Sequence, residues 1–176
     1  MPPPAPVVTP VAAAAGFPQP VAEALIASVE VILGTICGGK PTRRDAAEPD
    51  DRPCITGVLS FDGIPTWTVS CRMTADVAPK FIGKFAGFDL PFDSPDMGDA
   101  VGEFINVLAG EVIAQLDRRR LKHRMSLPTV LRGSGIEMVP ESGGQRRVID
   151  FDTPLGRLHF TMFLPKGPSQ MRMPGV

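Results

Sequence analysis

Apolar and polar positions separate most cleanly between Asp99 and Leu116. On a helix turning about 100° per residue, Val101, Phe104, Ile105, Leu108, Val112 and Leu116 fall in one stripe, the spacing of a core-facing side. Asp99, Glu103, Asn106 and Gly110 form a second stripe, roughly opposite. The pattern predicts one long helix with a buried face and a separate polar face of two carboxylates, a carboxamide and a glycine.

The same reading places the other elements. Val21 to Ile36 is helical, with Val21, Leu25, Ile26, Val29, Ile32 and Leu33 buried, Glu23 and Glu30 outward, and Gly34, Gly38 and Gly39 at its end. Lys40 to Pro53 reads as a charged loop. Ile55–Phe61 and Thr66–Met73 alternate at period two around Asp62-Gly63-Ile64-Pro65, which predicts a hairpin. Thr74 or Asp76 then caps a second helix with Pro79 in its first turns, Phe81, Ile82 and Phe85 on its core face, and Gly87 as its stop.

The loop Phe88 to Met97 leads into the central helix, which ends in the cation-rich run Asp117 to Arg124. Cations are favoured there by the helix dipole. Ser126 to Gly133 is short and extended, with Pro128 suiting an edge or a strand start, and Ile136 to Val139 reads as a further strand. Arg147–Phe151 and Arg157–Leu164 form a second hairpin, with Leu158, Phe160, Met162 and Leu164 inward and Arg157, His159 and Thr161 outward. This order predicts an α+β fold, a mostly antiparallel sheet with long helices packed on one face.

Composition sets the boundaries. Residues 1–20 hold seven of the twenty prolines and a four-alanine run, so they are expected to form a disordered or extended arm. Residues 21–165 form the domain, and 166–176 read as a flexible tail. A net charge of −1, with 43% hydrophobic residues and mean hydropathy +0.09, gives no global pull toward nucleic acid or an anionic membrane. Unbroken apolar runs fall far short of a transmembrane span. Met1 to Pro20 lacks the basic start of a secretory signal. Cys37, Cys54 and Cys71 are scattered, so the expected home is the reducing cytoplasm. With His123 and His159 the only histidines, no zinc-ligand spacing exists. Gly39-Lys40-Pro41 lacks the spacing of a phosphate loop.

The chemistry therefore falls to the polar stripe. Asn106 is the sole asparagine of the chain and a poor helix former. Its carboxamide donates and accepts at once, and Glu103 lies one turn away on the same side. Gly102, Ala109 and Gly110 leave little bulk around the pair, as if another surface had to come close. Taken alone, E-x-x-N equally fits an ordinary acidic helix surface whose glycines serve internal packing.

The flanking residues add to this. Asp99, Glu103 and Asn106 meet the pattern D-x-x-x-E-x-x-N. Gly102, Gly110 and a following S-x-P-T-V-x-x-G, met by Ser126, Pro128, Thr129, Val130 and Gly133, also match. In these residues, over about 20–165, the chain resembles the CheX-type chemotaxis phosphatases, relatives of CheC and FliY. CheC-like members carry two such motifs, whereas one is present here, which points to the single-site type. Val107 stands where many members have methionine.

The resemblance implies a CheX-like fold, commonly as a homodimer, and hydrolysis of the phospho-aspartate of a CheY-like response regulator. It implies catalytic residues Glu103 and Asn106. Glu103 would pair with the regulator's active-site lysine, and Asn106 would orient the attacking water. Asp99, Gly102, Ala109 and Gly110 would form the docking face. Magnesium is expected in the regulator and no metal or cofactor in this chain. A non-catalytic adaptor using the same helix face to bind a regulator or a flagellar switch component is the alternative.

Overall fold

The computed structural model describes residues 17–44, 51–140 and 142–166. The expectations for residues 1–16 and 167–176, and that for the 45–50 part of the charged loop, lie outside the described residues. Ten elements follow one another: α1 (Gln19–Cys37), β1 (Thr42–Arg44), β2 (Cys54–Gly63), β3 (Trp67–Thr74), α2 (Ala78–Ala86), α3 (Pro95–Arg118), β4 (His123–Met125), β5 (Thr129–Gly133), β6 (Gln145–Thr153) and β7 (Gly156–Leu164). The seven strands form one antiparallel sheet in the order β1-β6-β7-β3-β2-β4, and β5 pairs with β2 on the same side as β4.

Period-two alternation gives the sheet two unlike faces. Ile55, Leu59 and Phe61 lie opposite Met73, Val69 and Trp67, and this side continues through Phe160, Met162, Ile149 and Phe151. It is buried and shares one hydrophobic core with all three helices. Phe61 stacks on Trp67 at 4.2 Å, and Phe81 meets Phe104 edge-on at 5.1 Å. The stripe Val101, Phe104, Ile105, Leu108, Val112 and Leu116 is buried throughout, as its spacing predicted. The α+β expectation therefore holds, and both hairpins form where alternation placed them.

The other face is polar, and it departs from the sequence reading. Thr56, Arg72, His159 and Asp150 stand in one cross-strand row over β2, β3, β7 and β6. All four are buried, so His159 and Thr161 do not face solvent as expected. The reason is the segment after β5. Ile136 to Val139, expected as a strand, makes no ladder, and Ile136, Glu137 and Met138 line a cleft with Thr56, Ser70, His159 and Thr161. Nδ1 of His159 lies 2.6 Å from Oδ1 of Asp150, which gives that histidine a structural partner.

Element ends differ in smaller ways. Phe17 is buried and α1 begins at Gln19, so residues 17–20 belong to the fold rather than to an arm. Within the expected 40–53 loop, β1 pairs with β6, where Arg44 bonds Asp152 at 2.8 Å. Helix α2 has Val77 at its N-cap and no side-chain cap, so neither Thr74 nor Asp76 serves; Gly87 does end it, in the left-handed region. The run after α3 turns at Arg120, at φ 61°, and His123 to Met125 is a strand rather than a helix end.

Helix α1 is long and apolar enough, by length and composition, to cross a membrane, with mean hydropathy 1.7. Counting unbroken apolar runs overlooks this. In the fold its Val21, Leu25, Val29 and Leu33 are fully buried in the core.

Candidate functional site

The site begins with how α3 is held. Ser94 caps it, accepting a hydrogen bond from the Met97 amide at 3.2 Å, and Pro95 opens the first turn. The helix therefore starts four residues before Asp99, and the first-turn acid is Asp96. Asp99 lies beyond the first turn, so stabilising the helix start is not its role.

One glycine sets how close α3 comes to the sheet. A β-carbon at Gly57 of β2 would overlap Cγ1 of Ile105 and come within 3.3 Å of Cγ1 of Val101. Its absence lets α3 lie down on β2, and β2 in turn carries β5 in the register Thr56↔Leu131 and Gly57↔Val130. The polar side of α3 is thereby brought alongside Pro128 and Val130. A groove of about 810 Å³ runs between them, lined by Gly98, Asp99, Gly102, Glu103 and Asn106 from α3 and by Ile55, Pro128, Val130 and Arg132 from the strand side.

Glu103 and Asp99 are exposed and Asn106 is half-buried. None of the three side chains hydrogen-bonds another described residue, so their polar atoms remain available to a ligand. The Asn106 carboxamide can accept and donate hydrogen bonds at once, from a helix position that lines the groove. Glu103 and Asp99 make the helix wall acidic.

The small residues divide. Gly102 lies on the groove, and a β-carbon there would make ordinary contact, at 3.9 Å, with Pro128 and Val130. Gly110 is exposed, with nothing within 4 Å of such an atom, so it does leave the outer face slim. Ala109 is 1% exposed and packed in the core. The docking role expected of Ala109 is therefore wrong: one residue along the helix turns its methyl inward.

Sequence reasoning missed Arg132. Pro128, Val130 and Arg132 alternate on one strand face, so period two places all three on the same side, and the arginine was legible there. Its Nη2 donates to the Ser94 carbonyl at 2.8 Å, and its guanidinium carbon sits 5.7 Å from the Phe92 ring centroid. His123 is structural, with Nε2 2.9 Å from the Pro65 carbonyl. Among the described residues no group of three or more His, Cys, Asp or Glu is placed to hold a metal ion.

Comparison with known proteins agrees on the fold. The structure is similar to a CheC-like superfamily protein from Shewanella sp. PV-4, with TM-score 0.73 at 16% identity, covering 85% of this chain and all of that one. It is similar to the chemotaxis protein CheX of Desulfovibrio desulfuricans, with TM-score 0.67 at 20% identity over 82% of this chain and 98% of that one. A chain of the CheX–CheY–BeF3–Mg+2 complex from Borrelia burgdorferi aligns with TM-score 0.66 at 12% identity, over 82% and 96%. A search of curated protein sequences matched none. The family described as chemotaxis phosphatase CheX matches residues 55–152, more than half of the sequence and the part that builds the groove. The chain belongs to the CheX family of chemotaxis phosphatases.

Proposed function

We propose that this protein hydrolyses the phospho-aspartate of a CheY-like response regulator, with Asn106 as the residue that positions water. The observation that carries this is the shared groove. Asn106 and Glu103 lie one turn apart on a single helix, their polar atoms uncommitted, in a chain of the CheX family. The Borrelia burgdorferi neighbour was captured with CheY, BeF3 and Mg2+, which supports a regulator as the visiting protein.

Phosphoryl transfer proceeds through a loose transition state, so placing the nucleophile and the charges does most of the work. Asn106 Oδ1 accepts a hydrogen bond from water while Nδ2 donates to a phosphoryl oxygen. The water oxygen bonds to phosphorus as the bond to the aspartyl oxygen breaks. The products are the free carboxylate and inorganic phosphate, and the water's proton leaves on phosphate.

Glu103 pairs with the regulator's lysine and sets the helix over the phosphoryl group. As a general base it is poorly suited, because its negative charge opposes close approach to the phosphoryl group. Magnesium belongs to the regulator's acidic pocket in this scheme. The reaction takes place in the cytoplasm, by a protein that works as a homodimer.

The test incubates the protein with each phosphorylated regulator of its source organism and follows phosphate release. Asn106→Ala is expected to lower turnover about 100-fold or more while leaving binding intact. Turnover by Asn106→Ala at the wild-type rate overturns the assignment. Binding without hydrolysis by the wild type instead identifies a non-catalytic adaptor.

A further inference from the structure

The groove has a second charged end that the water-positioning scheme leaves unused. Arg132 is the one cation among its described lining residues, facing two carboxylates on α3. It is exposed, yet its head is fixed: Nη2 bonds the Ser94 carbonyl, and the guanidinium lies against Phe92. One N–H is thus used for support and the rest of the planar fork stays free. Fixing the head in the free protein lowers the entropy cost of engaging a partner.

Its position along the helix decides what it touches. Nη2 lies 3.9 Å from where a β-carbon of Gly98 would stand. Gly98 and Asn106 are separated by about 12 Å of helix rise. A guanidinium at that remove does not reach a phosphoryl group held beside Asn106. It therefore meets another part of the visiting protein's surface. No hydrogen bond or ion pair joins it to Asp99 or Glu103.

We propose that Arg132 is a specificity-setting docking residue that receives a surface carboxylate of the response regulator, about 12 Å along α3 from the phosphoryl group. This rests on the regulator reading above. The groove then reads its partner by a pattern of opposite charges: Glu103 takes a cation close to the reacting centre, and Arg132 takes an anion beyond it. A regulator with a basic or apolar residue at the second point meets an unpaired charge and is rejected.

The test measures affinity and turnover with the full chain. A regulator loaded with BeF3 and Mg2+ supplies a complex whose dissociation constant is read without hydrolysis, over a range of salt. Arg132→Glu is expected to weaken binding about tenfold, to raise KM by a similar factor and to leave kcat within twofold. Arg132→Gln is expected to flatten the salt dependence, a readout that a purely structural tie to Ser94 would not move. Reversing acidic residues of the regulator one at a time is expected to find one charge swap that restores binding to Arg132→Glu.

Unchanged affinity in Arg132→Glu overturns the proposal, as does a fall in kcat at constant KM or the failure of every swap to rescue. Circular dichroism separates these results from misfolding, and Arg132→Lys, which keeps the charge, is expected to retain most of the affinity. If the wild type binds regulators without hydrolysing them, the docking role stands while the catalytic reading falls. If it binds none, both fall.

Discussion

Gly57 of β2 lies directly beneath Ile105 of α3, and a β-carbon on the glycine would overlap Cγ1 of the isoleucine. The helix that carries Glu103 and Asn106 and the strand that carries β5 are therefore held at a separation that only glycine permits. Gly57→Ala is expected to destabilise the protein by about 1–3 kcal/mol, the usual cost of overpacking a filled core. Removing the overlapping Cγ1 in Gly57→Ala/Ile105→Ala should make the double change cost less than the sum of the two single ones. Denaturant midpoints measure both, and a midpoint unmoved by Gly57→Ala would contradict the contact.

That contact also marks what the sequence could reveal. Spacing alone placed the buried stripe of α3, both hairpins and the Glu103–Asn106 face, because each obeys a local period. It was not followed at Ala109, which comes four residues after Ile105 at the edge of the buried stripe but was grouped with the glycines for its small size. Nor did it find β1 or the covered polar face behind His159. Those depend on which distant segment lies across the sheet, which no window along the chain contains. Arg132 was missed for another reason: its neighbours were matched as a motif and not laid out on a strand.

The division between Ala109 and Gly110 is open to measurement. Gly110→Ala adds a methyl into open space in mid-helix, so stability is expected to rise by about 0.5–1 kcal/mol. Ala109→Glu puts a carboxylate into the core and should cost several kcal/mol or prevent folding. Equal tolerance of the two changes in thermal melts would mean that the helix is rotated from the orientation described.

On the polar face, Asp150 is 1% exposed and bonds His159 at 2.6 Å. Breaking a buried pair by removing one partner typically costs about 3–5 kcal/mol, whereas replacing both by apolar groups costs much less. Asp150→Val alone is therefore expected to be more damaging than Asp150→Val/His159→Leu. A double-mutant cycle by chemical denaturation decides it: strictly additive losses would show the two side chains to be energetically independent.

Asp152 ties the edge strand β1 to the sheet, and its acid response follows from its partners. The Arg157 hydrogen bond at 2.7 Å, then that of Arg44 at 2.8 Å, hold its carboxyl below the ordinary value of 3.8. A carboxylate whose pKa is depressed by folding adds stability above its unfolded pKa, and the contribution is lost as pH falls through the folded pKa. Asp152→Asn should therefore lower the melting temperature at pH 7, by no more than about 4 °C because the pair is solvent-screened. The gap between wild type and variant should narrow as pH drops below about 4 and close once the wild-type carboxyl is protonated. A gap that stayed constant from pH 7 to pH 2 would assign the effect to the shape of the side chain and not to its charge, and β1 would then be held by its backbone ladder alone.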